Sequence, residues 1–140
     1  MNLSTFSDYA LRLLLLSNAR PGEMITIHEA AITYGISQAH LKKVVTLLSN
    51  KGYLQTERGH GGGFTLNRPA SEIRLGALVR ETEPGFALVE CLHDPHACLV
   101  YPSCVLPSVF DEALSAFLSV LDRYTLQDIA LAPASFLRMR

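Results

Sequence analysis

Residues 26–66 read TIHEAAITYGISQAHLKKVVTLLSNKGYLQTERGHGGGFTL, and the order of signals in this stretch decides the fold. Thr26 is placed to cap a helix over 27–34 that turns Ile27, Ala30, Ala31 and Tyr34 to one side. Gly35-Ile36 interrupts it. Ser37 then caps another helix, over about 38–50, whose apolar side carries Leu41, Val44, Val45, Leu47 and Leu48. Lys51-Gly52 closes that helix, glycine being the usual residue for the left-handed turn past a helix end. Two short helices across a tight glycine turn match a helix-turn-helix, and equally an ordinary hairpin of a helical bundle. The residues that follow separate the two. Residues 53–57 alternate as a strand, Arg58-Gly59-His60-Gly61-Gly62-Gly63 is a flexible turn, and Phe64-Thr65-Leu66 alternates again. A hairpin directly after the second helix is a wing.

The glycines of that hairpin are not a nucleotide loop. A P-loop needs Gly-Lys-Ser/Thr opening a helix, and the dinucleotide fingerprint also needs a helix next. Here a strand follows. The wing tip instead presents Arg58 and His60 on a backbone able to approach a phosphate or a minor groove closely. At the exposed start of the third helix, Ser37, Gln38 and His40 are candidates for base edges. Lys42 and Lys43 join Arg58 and His60 as candidates for phosphate or minor-groove contact.

Upstream, Leu3, Phe6, Tyr9, Ala10, Leu13, Leu14 and Leu16 recur at helical spacing, with Ser4 or Thr5 as N-cap and Pro21-Gly22 as stop. Asp8 and Arg12 lie four apart on that helix, a pairing usually worth only about 0.2–0.5 kcal/mol. Downstream, residues 73–81 (IRLGALVRE) read as a short helix stopped by Pro84-Gly85. From Val109 the pattern is again helical. Leu106, Phe110, Ala113, Leu114, Phe117, Leu118, Val120 and Leu121 form a broad stripe, with Asp111, Glu112, Ser115, Ser119 and Asp122 facing away. Such a stripe is covered most economically by its copy in a second subunit, or else by the chain's own N-terminal part. Thr125 is expected to cap a last short helix over 126–131, and Pro133 to begin a frayed tail. The expected class is therefore mainly α with a small β-hairpin wing. It divides into a winged helix-turn-helix (1–68), a short helix with a sensor loop (69–104), and a dimerisation helix with a short C-terminal helix (105–140).

Of the 140 residues 49% are hydrophobic, high for a chain this short, which points to apolar surface facing a partner. No apolar run reaches the length of a membrane span. The start, MNLSTFSDYALR, lacks the basic region and cleavage site of a signal peptide, so a cytoplasmic protein is expected. The formal charge is −1, which taken alone argues against a nucleic-acid binder. Its distribution argues for one: residues 1–68 carry seven Lys/Arg against four acids, and residues 69–140 five against nine.

All three cysteines lie in residues 91–104, CLHDPHACLVYPSC, spaced C-x6-C-x5-C, with Pro102 and Pro107 bracketing the third. A disulfide would pair two and strand the third. In a reducing compartment thiols more often bind metal or do redox work. Their spacing does not match the C-x2-C pairs of structural zinc sites and suits iron or an iron–sulfur centre. Three thiolates leave one position of a [4Fe-4S] cluster open, for which His93, Asp94, His96 and the remote Asp8 are candidates. A mixed-ligand [2Fe-2S] centre fits the spacing too, as does a cluster-free thiol or metal switch. A redox enzyme is disfavoured by the absence of a cofactor loop or acid–base constellation, and it leaves the wing without a role.

Several separated blocks occur together and in register: FSDYALR, YGISQAHLKKVVTLLSNKGYL, RGHGGGFTL, IRLGALVRETEP, the three cysteines, and LDRYTLQDI. In these, over nearly its whole length, the chain resembles the winged-helix iron–sulfur transcriptional regulators, the family of NsrR and IscR. The resemblance implies a homodimeric, non-enzymatic transcription factor, usually a repressor, that binds a double-stranded DNA operator and carries a cluster at each flank of the dimer. Within the family the sequence is most similar to the nitric-oxide-sensing branch. There the three cysteines, here Cys91, Cys98 and Cys104, are completed by an acidic residue of the other subunit that falls on Asp8. The branch using a histidine after the third cysteine is a poorer match, because no histidine follows His96. The resemblance thus implies a [4Fe-4S] cluster open to nitric oxide, and the i,i+4 spacing makes Arg12 the expected partner of Asp8 once the cluster is lost. The loop between the first two cysteines, slightly longer than in some relatives, keeps His93 and His96 as competing ligands.

Overall fold

A computed structural model describes residues 2–139. Helix α1 (Thr5–Ala19) begins at Ser4, whose hydroxyl accepts from the Ser7 N–H. It buries Ala10, Leu13, Leu14 and Leu16 completely. Helix α2 (Ile27–Tyr34) starts at Thr26, whose side chain accepts from the Glu29 N–H, and ends at Gly35 with φ 66°. That left-handed angle suits glycine and turns the chain sharply into α3 (Gln38–Asn50), capped by Ser37 through the His40 N–H. Leu41, Val44, Val45 and Leu48 of α3 meet the α1 leucines in one core, where each fully buried leucine contributes about 1.5–3 kcal/mol.

The wing follows as predicted. Strand β1 (Leu54–Glu57) pairs antiparallel with β2 (Gly63–Leu66), Leu54 opposite Leu66 and Glu57 opposite Gly63. Ile25 adds a third edge by exchanging hydrogen bonds of 3.0 and 2.8 Å with the fully buried Phe64. A Cβ at Gly63 would lie 2.2 Å from the Ile25 carbonyl oxygen, so the close strand approach requires glycine there. Arg68 stacks its guanidinium 4.4 Å over the Tyr53 ring. It donates to the carbonyls of Lys51 (2.7 Å) and Gly52 (3.1 Å), closing the C-terminal end of α3 with a cation.

Helix α4 (Leu75–Thr82) starts two residues later than expected. Ile73 and Arg74 are extended because they pair with the chain after the last long helix: the Leu126 N–H donates to the Ile73 carbonyl (2.9 Å) and the Leu75 N–H to Tyr124 (3.0 Å). The end of α4 is tied to the start of α1. The buried Ser7 and Thr82 hydroxyls lie 2.7 Å apart, and the Ser4 N–H donates to Glu83 at 2.7 Å. Burial raises the Glu83 carboxyl, but hydrogen bonds from Ser7 and Ser4 outweigh it and hold the group below its ordinary value. Beyond a one-turn helix α5 (Glu90–His93) comes α6 (Leu106–Asp122), which opens at Leu106 rather than Val109, with Pro107 suited to the first turn.

Three further expectations are corrected. Asp122 does not face away: it forms a two-point ion pair with Arg80 of α4, at 2.6 and 2.8 Å, beside Gly76. Residues 126–131 form only a single 3-10 turn, Gln127–Ile129, and Thr125 is not its cap acceptor. The Asp128 carboxylate instead accepts from both the Thr125 N–H and hydroxyl. The tail is not frayed at Pro133. It winds as a 3-10 segment, Pro133–Met139, and buries Phe136 edge-on against Tyr34, ring centroids 6.2 Å apart. Phe136→Ala is therefore expected to destabilise the fold by about 3 kcal/mol in denaturant melts; a loss below about 0.5 kcal/mol would mean that the tail contributes nothing.

Candidate DNA interface and thiol loop

At the head, the geometry puts Ser37, Gln38, His40, Lys42 and Lys43 on the exposed side of α3, opposite its buried leucine and valine face. The Ser37 oxygen accepts from the His40 N–H at 3.3 Å, so capping occupies it while its O–H remains able to donate. Arg58 and His60 stand exposed at the wing tip, where Gly59 and Gly61 take φ of 97° and 75°. A groove of about 390 Å³ runs between α3 and the wing, bounded by Lys42, Thr46, Ser49, Asn50, Thr56 and Arg58. Thr46, Ser49 and Thr56 were not singled out by sequence. Thr46 and Ser49 on α3 and Thr56 on β1 look like ordinary solvated positions until the wing folds beside the helix. His28 was also missed: it lies ten residues before Gln38, and only the fold brings its ring to the Gln38 amide.

The thiol loop is built differently. Cys91 lies in α5, Cys98 follows the 3-10 turn Pro95–Ala97, and Cys104 follows the turn Tyr101–Ser103. All three are unpaired and partly exposed. The backbone hydrogen bonds from Leu92 to Cys104 are local ones, such as Ala97 N–H to Asp94 O and Cys104 N–H to Tyr101 O. Asp94 accepts from the His96 N–H at 2.9 Å, which engages one oxygen of a candidate ligand. Leu99, Val100 and Val105 project outward, Leu99 fully. Among the described residues no group of three or more His, Cys, Asp and Glu is gathered around one point in a single chain. The donor set nonetheless fits soft iron: three free thiols on a segment with little to hold it in its present path.

Asp8 lies away from that loop in sequence and is engaged. Its carboxylate pairs with Arg12 at 2.8 and 3.1 Å, on the partly exposed side of α1. Arg12 is itself attached to the head. Its carbonyl accepts from the Tyr34 hydroxyl at 2.6 Å, and its guanidinium lies 5.8 Å over the Tyr34 ring. Burial pushes the Tyr34 phenol up to about 12, keeping it a donor throughout the neutral range. Tyr34 is the last residue of α2, directly before the turn into α3.

The long helix completes the layout. None of the 17 residues of α6 is buried, and Leu106, Val109 and Val120 are exposed. An apolar cleft of about 670 Å³ opens between Leu114 and Phe117 of α6, Leu75 and Val79 of α4, and Leu3 and Leu11 near the start of the chain. Among the described residues no helix is long and apolar enough to cross a membrane.

A helix-turn-helix whose second helix has an exposed polar side, a wing with Arg58 at its tip and a long apolar helix beyond it define the DNA-binding transcription regulators of winged-helix type. Residues 3–132 match the Rrf2 family, described as an iron-dependent transcriptional regulator, and the chain belongs to that family. It is 45% identical over 131 residues to the HTH-type transcriptional regulator NsrR of Bacillus subtilis, covering 92% of this chain and 90% of that protein. Its identity to NsrR of Oceanobacillus iheyensis is 44%, covering 92% and 89%. Among solved structures it is similar to CymR, the global cysteine regulator of B. subtilis, with TM-score 0.69, 27% identity, and 93% and 96% of the two chains covered. It shares its fold with IscR of T. potens, at TM-score 0.71 and 22% identity, covering 92% and 85%. The chain is thus a DNA-binding transcriptional regulator and not an enzyme.

Lys42→Ala and Arg58→Ala are each expected to weaken DNA binding and to lower the slope of log K against log salt by about one. Fluorescence anisotropy across a salt series measures this, and unchanged slopes would remove both residues from the phosphate contacts.

Proposed function

We propose that this regulator is a homodimeric repressor that senses nitric oxide through an iron–sulfur cluster, most simply [4Fe-4S], and releases its operator when the cluster is lost. Cys91, Cys98 and Cys104 would hold the cluster, with Asp8 of the partner subunit as fourth ligand. In support stand the three free thiols, the iron-dependent family, and relatives at 40–45% identity that carry the name NsrR. The uncovered stripe of α6 supports the dimer, since a second copy is the economical cover for it. Such a cluster, when bound, supplies an iron whose carboxylate ligand is weaker than a thiolate and therefore open to a small diatomic molecule.

The observation that carries the reading is the attachment of Asp8, through Arg12, to the reading head. An exposed i,i+4 pair is worth only about 0.3–0.5 kcal/mol, so Asp8 leaves Arg12 readily when a better partner is offered. While it serves the partner subunit's thiol loop, Asp8 ties the first helix of one chain to the sensor of the other. Once released it returns to Arg12, whose carbonyl is bonded to Tyr34 at the hinge before α3. A small rotation there changes the spacing of the two heads, which must match the half-sites of the operator.

A cluster-free thiol switch is the second reading. It is favoured by the absence, among the described residues, of a His, Cys, Asp and Glu group that could hold a metal within one chain, and a similar solved structure is an oxidized form of CymR. Two variants separate the readings. Replacing any one cysteine by serine is expected to abolish anaerobic iron and sulfide binding. Asp8→Ala is expected to retain part of the iron while the nitric-oxide-induced loss of DNA affinity, on the order of 10–100-fold in the parent, shrinks to about threefold or less. Release like the parent's in Asp8→Ala would refute the proposed coupling.

A further inference from the structure

We propose that His28 belongs to the DNA-reading surface: it holds the Gln38 carboxamide in one orientation and thereby sets the base that Gln38 prefers. The inference rests on the reading that the start of α3 meets base edges. His28 is the second residue of α2 and Gln38 the first of α3, and the His28 Nδ1 and Gln38 Nε2 atoms lie 2.9 Å apart. Both side chains are exposed, outside the core that α2 and α3 share.

A glutamine reads adenine by donating from its amide nitrogen and accepting at its amide oxygen together. An unrestrained carboxamide presents those two atoms in either order and loses that freedom only on binding. The His28 ring narrows the choice beforehand, in the order its tautomer sets: with the proton on Nε2, Nδ1 takes the Gln38 N–H that faces it. Gln38 then offers one fixed acceptor, Oε1, and its second N–H. The Nε2–H of His28 adds a donor beside them. A solvent-exposed pair of this kind contributes little to folding, where each bond is exchanged for bonds to water. Its place at the first residue of the reading helix is what gives it consequence, because the same bond there selects among bases.

The test uses the full chain loaded anaerobically with its cofactor. A preferred duplex is first selected from a random-sequence double-stranded DNA library. Binding is then measured to every single base-pair substitution of it, for the parent, His28→Phe, His28→Asn and Gln38→Ala. Gln38→Ala is expected to erase the preference at one base pair of each half-site. His28→Phe, which keeps the ring but not the acceptor, is expected to reduce the preference at that same pair by about 3- to 10-fold and to leave other positions unaltered. His28→Asn, whose Oδ1 replaces Nδ1, is expected to keep it. If Gln38→Ala changes the preference and His28→Phe does not, or weakens all positions evenly, the inference is overturned while the assignment of the α3 start stands. If Gln38→Ala changes no preference, both fall together.

Discussion

Everything in this fold is hung on the burial of one helix. Leu13, Leu14 and Leu16 of α1 are completely shielded, and no single neighbour could shield them. Helix α3 packs on α1, as do α4, the inner wing strand and the 3-10 tail. The reading head, the support of the long helix and the C-terminus are therefore referred to the same element. A shift of α1 cannot be local. The hydroxyl pair Ser7–Thr82 adds direction to that packing. It fixes the first turn of α1 against the last turn of α4, a few residues before the chain enters the thiol loop. The Thr82 hydroxyl also donates to the Leu78 carbonyl at 3.0 Å, so the contact joins the α1 start to the α4 backbone.

Weak and strong contacts are sorted in a way that suits a switch. The core under α1 and α3 is closed, with Leu13, Leu14, Leu16, Leu41 and Leu48 fully buried. The Asp8–Arg12 pair sits on the partly exposed side of the same helix, where water competes for both groups. One side of α1 thus keeps the fold while the other carries an ion pair that costs little to break. Tyr34 links the two regimes: it is half-buried, its hydroxyl is committed to the Arg12 carbonyl, and its ring is held by Phe136 of the tail. The C-terminal segment consequently supports the very residue at which α2 turns toward α3.

Much of the head was legible because its signals are local. Ser4, Thr26 and Ser37 cap the helices they were expected to cap, and Gly35 takes the left-handed turn. Alternation around six wing residues gave the hairpin. What escaped was non-local. Ile73 and Arg74 have helical composition, but their backbone pairs with residues fifty positions on, and that bridge overrides propensity. Asp122 lies on the polar side of its helix by periodicity, yet Arg80 and the bare Gly76 draw it onto α4. Phe136 follows a proline and a run of small residues, and nothing in that composition announces that Tyr34 waits for it. The candidate ligands were legible as residue types and spacing. Their assembly was not, since a loop held by local bonds does not bring three thiols to one point within a single chain.

The most direct measurement follows visible absorption and operator-DNA anisotropy together in one anaerobic sample while nitric oxide is added stepwise. A broad band in the blue that collapses in proportion to the DNA released is the expected result. A colourless protein that still binds and releases DNA, or a structured spectrum that persists while DNA leaves, would contradict a nitric-oxide-labile cluster as the sensor.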